Sequence, residues 1–83
     1  MSVEVRYFAG AAEAAGTARQ DVEVTEGQSV AAVLAGVSEG NDRLRQVIAV
    51  AAVLLDGAAV TDRSAVLGAN ARRLEVLPPF AGG

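Results

Sequence analysis

The chain has 83 residues, 52% of them hydrophobic and 20% charged, with a net charge of −3. This length predicts one small domain with a thin core, and the apolar content excludes a disordered chain. Cysteine, histidine, tryptophan and lysine are absent, which excludes disulfides, thiolate or histidine catalysis, and metal sites built from those residues.

Composition also limits the expected partners and location. A negative net charge and few aromatic residues argue against nucleic acid as a partner. No apolar run approaches the ~20 residues that cross a bilayer, so we expect no membrane span. The first residues lack the basic and apolar regions of a signal peptide, and a cytoplasmic location is expected.

The first quarter of the chain predicts two strands joined by a short helix. Apolar and polar residues alternate over residues 2–8, which is typical of a half-buried strand. The alanine-rich segment 9–16 predicts a short helix that ends at a left-handed Gly16. Alternation returns over residues 19–24 and predicts the second strand.

The middle of the chain predicts the main helix. It begins behind Ser29, an N-cap candidate, because apolar residues then recur at i, i+3, i+4 and i+7. Gly40 closes it. Residues 41–46 predict another short turn of helix, capped by Asn41 or Asp42.

A hairpin is predicted next. The apolar run 48–55 has the length of a buried strand, and the Asp56-Gly57 pair behind it is a strong hairpin signal. The short return strand is predicted over residues 58–61.

The last part of the domain predicts a loop and a final strand. The loop spans residues 62–71, with Val66 and Leu67 as its apolar anchors. Residues 72–77 alternate again and predict a strand, which Pro78 ends because proline cannot donate to a strand ladder.

These elements predict a two-layer α+β domain over residues 1–77. Its mixed sheet has four to five strands, and one main helix packs on one face. Residues 78–83 are predicted to form a flexible C-terminal tail. The residues expected to face the core are Val3, Val5, Tyr7, Val30, Val33, Leu34, Val37, Leu44, Leu74 and Val76.

The tail has the sequence Pro-Pro-Phe-Ala-Gly-Gly. Two prolines fix φ and favour an extended start, and four further residues reach roughly 13–14 Å. Gly82 and Gly83 have no side chains, so they can thread a narrow channel and present a carboxylate to another protein. An incidental frayed terminus is the alternative, but such an end has no need of the large apolar Phe80.

The residues of this tail carry a family resemblance. Residues 75–83, EVLPPFAGG, closely resemble the C-terminus of the molybdopterin synthase small subunit, the MoaD group of ubiquitin-like sulfur carriers. Residues 5–16 resemble the first strand and short helix of that group, and Leu55-Asp56-Gly57 its hairpin turn. The resemblance covers nearly the whole chain, is specific mainly at its two ends, and implies a ubiquitin-like β-grasp fold.

The resemblance also implies a mechanism that uses ATP but no permanently bound cofactor. In such carriers a ubiquitin-activating-like adenylyltransferase adenylates the C-terminal glycine, here Gly83. A sulfurtransferase then converts it to a thiocarboxylate. The tail enters the large subunit of molybdopterin synthase, in a complex that usually pairs two small with two large subunits. Sulfur passes there to cyclic pyranopterin monophosphate, and the small subunit is no enzyme by itself.

Site residues follow from the same resemblance. Gly83 is the residue that is adenylated and thiocarboxylated, and Gly82 supplies clearance in the channel. Ala59 stands where the group often has a larger apolar residue. The expected partner-binding residues are Phe8, Ala59, Leu77, Pro78, Pro79, Phe80 and Ala81.

Three other functions remain open at this point. A carrier of the same fold could serve cysteine, thiamine or tRNA thiolation. The Pro-Pro-Phe-Ala-Gly-Gly ending favours molybdopterin synthesis over the thiamine pathway, whereas carriers of the cysteine pathway can have similar tails. A protein-modifying tag would be attached through Gly83 to lysines of target proteins. A plain binding domain would lose nothing on deletion of Gly82 and Gly83.

Overall fold

The structure, a computed structural model, describes residues 1–79 of the chain. The strands in this part are β1 (Ser2–Tyr7), β2 (Arg19–Glu23), β3 (Ala52–Leu55), β4 (Ala58–Ala59) and β5 (Arg73–Leu77). The helices are α1 (Gly10–Ala15), α2 (Val30–Val37) and α3 (Asp42–Val50). None of these helices is long and apolar enough to cross a membrane.

The strands form one mixed sheet in the order β2-β1-β5-β3-β4. The central pair, β1 and β5, is parallel, with Tyr7 opposite Val76. The other neighbouring strands are antiparallel. A parallel pair needs a long crossover, and here the whole middle of the chain, with α2 and α3, lies between the two strands. The predicted mixed sheet is therefore confirmed.

The core lies between one face of the sheet and the helices. Alternate residues of the two central strands are fully buried, as a period of two requires. Every residue that we expected to face the core is buried except Val37, which packs against the core half-buried. Among residues 1–79 the core contains five further buried apolar residues, which are Ala11, Val24, Ile48, Val53 and the predicted loop anchor Leu67.

The boundary between α3 and β3 corrects the predicted strand over 48–55. Ile48 belongs to α3, which runs to Val50, and Ala51 is the extended C-cap before the strand. An apolar run cannot by itself distinguish a strand from a buried helix end. The side chain of Asn41 accepts a hydrogen bond from the Leu44 N–H at 3.0 Å, so Asn41 and not Asp42 is the N-cap, and the short predicted turn becomes a nine-residue helix.

The hairpin at Asp56-Gly57 is confirmed. Both residues have positive φ, 49° and 85°, as the two central positions of a type I′ turn require. The return strand is shorter than predicted, because only Ala58 and Ala59 pair with β3. The Asp56 carboxylate accepts hydrogen bonds from the backbone N–H groups of Arg72 at 3.0 Å and Arg73 at 2.9 Å.

We expect Asp56→Ala to lower the free energy of unfolding by about 1–2 kcal/mol, because it removes the acceptor of two hydrogen bonds that tie this turn to β5. Asp56→Asn is the matched control, since asparagine keeps an acceptor oxygen and tolerates positive φ. Urea unfolding of both variants measures the difference. Equal losses in the two variants would contradict this explanation.

The loop before β5 is held from two sides. The Arg63 guanidinium donates to the carbonyl oxygens of Ile48 and Ala51, each at 2.8 Å, at the carboxyl end of α3. Leu67 is fully buried, whereas Val66 is 59% exposed. The prediction of two apolar anchors is thus wrong for Val66. An isolated bridge between Ser29 and Val66 makes the backbone extended there, so neighbouring side chains point in opposite directions.

Tyr7 is buried at the end of β1, and its hydroxyl donates a hydrogen bond to the Gln20 side-chain oxygen at 2.9 Å. Burial raises the pKa of Tyr7 from 10.0 to about 12. A raised pKa in the folded state means that folding favours the neutral phenol.

We therefore expect the stability that Tyr7 contributes to be complete below pH ~10 and to be lost as the pH rises from about 10 toward 12. Tyr7 is the single tyrosine of the chain, so the absorbance of tyrosinate reports this residue alone. Urea midpoints of the wild-type chain and of Tyr7→Phe, measured on both sides of pH ~10, test the expectation. A parallel alkaline decline in both proteins would contradict it.

Candidate functional site

The parallel pairing of β1 and β5 decides where the tail begins. The Phe8 N–H, just after β1, donates to the Val76 carbonyl oxygen at 3.0 Å. The carboxyl ends of both strands therefore lie at the same end of the sheet, and Phe8 lies beside Leu77. Pro78 and Pro79 leave the sheet from this point.

An apolar groove of about 160 Å³ lies at this end of the sheet, between the end of α3, the start of α1 and the first tail residues. We call it the tail-base groove. Phe8 and Val50 border it although their side chains are 38% and 66% exposed. Its walls also include Val47, Ala51, Leu77, Pro78 and Pro79.

A second apolar surface lies on the sheet face that points away from the helices. Val53 and Val76 are buried against the helices, so their neighbours along the strands, Ala52, Leu54 and Leu77, face outward. Leu77 pairs with Ala52 across the two strands. We call these residues, with Ala59 beside Leu54, the outer strip.

The structure brings together four of the predicted partner-binding residues that it describes. Phe8, Leu77, Pro78 and Pro79 line one groove. Ala59 does not join them: it lies on β4 at the edge of the sheet and borders a separate depression. Leu54 and Ala52 stand between Ala59 and Leu77 along the outer strip.

Sequence reasoning missed Val47, Val50, Ala52 and Leu54 as surface residues at this site. Val50 and Ala52 belong to the apolar run 48–55, which we interpreted as one buried strand, so neither was expected at the surface. The heptad-like spacing of Leu44, Val47 and Ile48 was the available signal for a helix face. The predictions for Phe80, Ala81, Gly82 and Gly83 lie outside the described residues.

Charged side chains continue the outer face beside the outer strip. Glu4 bridges two guanidinium groups, with Arg6 Nε at 2.6 Å and Arg19 Nη1 at 3.4 Å from its carboxylate oxygens. Arg73 Nε lies 3.6 Å from the Glu75 carboxylate and forms no hydrogen bond. An apolar centre with a charged border is the usual composition of a protein interface.

No three His, Cys, Asp or Glu side chains between residues 1 and 79 are grouped as a metal site. The arrangement described so far is an apolar groove beside the point where a short terminal segment leaves the sheet.

Comparison with known protein families finds a match for this chain. The model of the ThiS family matches residues 5–83. The chain belongs to the ThiS family. The match spans β1 from Val5 onward, every later element and the tail, and no curated protein sequence matches the chain.

Solved structures share the fold of this chain. SAMP1 of Haloferax volcanii has 26% sequence identity and a TM-score of 0.79, with all of both chains covered. A putative molybdopterin converting factor, subunit 1, of Pyrococcus furiosus has 20% identity and a TM-score of 0.80, covering 96% of this chain and 99% of its own.

A third structure is a complex of subunits 1 and 2 of the molybdopterin-converting factor of Helicobacter pylori. Its matching chain has 19% identity and a TM-score of 0.68, with both chains fully covered. The fold is thus the predicted ubiquitin-like β-grasp, shared with sulfur carriers and modifiers. At these identities the last two structures show the fold alone.

Proposed function

We propose that this chain is the sulfur carrier subunit of molybdopterin synthase. The observation that carries the proposal is the convergence of Phe8, Leu77 and the exposed Val50 at the point where the Pro-Pro-Phe-Ala-Gly-Gly segment leaves the sheet. An apolar surface at the base of a tail with small side chains suits a protein whose domain binds one partner. The C-terminal residue can then react inside the active site of that partner.

The proposed chemistry takes place at Gly83. An oxygen of its carboxylate attacks the α-phosphate of ATP, pyrophosphate leaves, and an acyl-adenylate forms. A sulfide equivalent from a sulfurtransferase then displaces AMP and leaves a thiocarboxylate. Two such thiocarboxylates each deliver one sulfur to cyclic pyranopterin monophosphate, water hydrolyses each acyl–sulfur bond to return the carboxylate, and the two sulfurs form the dithiolene of molybdopterin. Gly82 gives the clearance that a narrow channel demands.

The partners follow from this chemistry. The activating enzyme is a ubiquitin-activating-like adenylyltransferase, and the protein that takes up the tail is the large subunit of the synthase, in a heterotetramer of two small and two large subunits. The Helicobacter pylori complex of subunits 1 and 2 supports a partner of this type. We expect the tail-base groove and the outer strip to face the large subunit, with Pro78 and Pro79 aiming Phe80 and Ala81 into it.

Reconstitution tests the proposal directly. The protein is prepared with a thiocarboxylate at Gly83, verified by intact mass, and mixed with its cognate large subunit and cyclic pyranopterin monophosphate. We expect molybdopterin to form, and the same protein with an ordinary carboxylate to yield none. A verified thiocarboxylate that gives no product would overturn the assignment to this pathway.

Docking is tested separately from chemistry. We expect Phe8→Ala to weaken binding to the large subunit by about 1–3 kcal/mol, as for a buried apolar anchor, and Phe80→Ala to do the same. Val66→Ala is the matched control, because Val66 is also exposed but does not border the groove. Titration calorimetry gives the three affinities, and an unchanged affinity of Phe8→Ala would remove that residue from the interface.

A protein modifier is the second candidate, favoured by the 26% identity with SAMP1 over the full length of both chains. Lysines of target proteins would then carry Gly83 in isopeptide bonds. Because Arg73 is the last basic residue, trypsin would leave residues 74–83 attached to each modified lysine. A search of tryptic peptides for that remnant separates the two functions.

A further inference from the structure

The tail-base groove is open in the part of the chain that the structure describes. Its walls are apolar, and its volume is about 160 Å³. Cavities of ~150 Å³ with apolar walls bind benzene, so this groove has room for one aromatic ring. Phe8 and Val50, two of the exposed large hydrophobic side chains of residues 1–79, border it. Covering them would remove apolar surface from water.

The sequence places an aromatic ring directly beside the groove. Pro79, which borders the groove, is followed by Phe80. Consecutive Cα atoms are ~3.8 Å apart, so the Phe80 ring is within reach of the groove without any long connection. Phe80 is also the one large apolar side chain among residues 80–83.

We propose that the tail-base groove binds the Phe80 side chain of the same chain when the protein is free. A tether of one residue gives a high effective concentration, so even a weak contact is well populated. Binding Phe80 would hold the glycine end against the domain. A partner that takes up the tail must then displace this contact.

This inference does not depend on the proposed function, because it concerns the free chain. If the chain is the proposed sulfur carrier, the large subunit and the groove compete for Phe80. A partner side chain and a second copy of this chain are the other possible occupants, and the experiment distinguishes them.

Nuclear magnetic resonance of the free protein tests the proposal. With methyl-labelled valine, we expect nuclear Overhauser contacts between the Phe80 ring and the methyl groups of Val50 and Val47. Phe80→Ala should abolish them and shift the Val50 methyl resonances. The methyl resonances of Val66, another exposed valine away from the groove, should not move. Unmoved Val50 resonances would overturn the proposal.

A second variant keeps the test independent of changes in the tail. Val50 is the last residue of α3 and is largely exposed, so Val50→Ser should fold and should lose the Phe80–Val47 contacts. Val66→Ser is the matched control and should retain them. Contacts found solely between differently labelled copies would overturn the proposal in favour of self-association. Contacts that arise only after the large subunit is added would overturn it in favour of a partner.

Discussion

Deletion of Gly83 is expected to abolish sulfur transfer while leaving the unfolding midpoint of the domain unchanged. The deletion draws the terminal carboxylate back by ~3.3–3.6 Å, and a displacement of ~1 Å at a reacting centre already costs about 10²-fold in rate. The domain itself should be unaffected, because the buried core extends from Val3 to Val76. Molybdopterin formation and urea unfolding, measured on the same preparation, give the two results.

The controls separate the position of the carboxylate from the general composition of the tail. Gly83→Ala keeps the length but adds a side chain at the reacting residue, and we expect it to abolish transfer as well. Ala81→Gly alters the tail without moving its end, so it should retain most of the activity. Normal transfer by the shortened chain, or a large fall in its unfolding midpoint, would show that the role proposed for Gly83 is wrong.

Leu67→Ala is expected to cause the largest loss of stability among the loop substitutions, about 2–5 kcal/mol. Leu67 is fully buried. Two backbone hydrogen bonds also hold it in place, because its carbonyl oxygen accepts from the Gly27 N–H at 2.8 Å and its N–H donates to the Gln28 carbonyl oxygen at 2.9 Å. The side chain therefore cannot easily move to fill the cavity. Small domains have only ~0.05–0.15 kcal/mol of stability per residue, so this loss is a large part of the total.

Val66→Ala is the matched control at the neighbouring position. Val66 is 59% exposed, and we expect its truncation to change the free energy of unfolding by no more than about 0.5 kcal/mol. Urea unfolding at neutral pH compares the two variants. Similar losses at the two positions would mean that the side chains do not alternate between core and solvent as the structure has them.

Local pattern predicted much of this fold, and the reason is visible in single elements. Period-two alternation placed Val5 and Leu74 in the core, because a strand on a two-layer sheet has one buried face. Ser29 caps α2, accepting from the Ala32 N–H at 3.0 Å, and Gly16 ends α1 with a φ of 76°. Each of these depends on residues no more than four positions apart.

The error over residues 48–55 has the opposite cause. Its residues are apolar throughout, so no alternation marks where the helix ends and the strand begins. Contacts with distant residues set the boundary between the helix and the strand. Arg63 donates to the carbonyl oxygens at the end of α3, and β3 pairs with β5. Tertiary contacts of this kind override local preference.

For the candidate site, the tail sequence and the family resemblance supplied Phe8 and Leu77 as surface residues. That Val50 and Val47 line the same groove as these two residues was not predictable from the chain alone. It depends on the parallel register of β1 with β5 and on the docking of α3 against α1, where Asn41 donates to the Ala14 carbonyl at 2.9 Å.

The sequence pattern by itself thus determined the two-layer α+β class and the buried faces of the strands, since these depend on residue type and short-range spacing, and the family resemblance added the β-grasp fold. The tertiary structure alone decided which apolar residues stay on the surface, and it separated Ala59 from the groove that Phe8 and Leu77 share. The physical reason is that a surface is assembled from elements far apart in the chain, and only strand order and register bring those elements together.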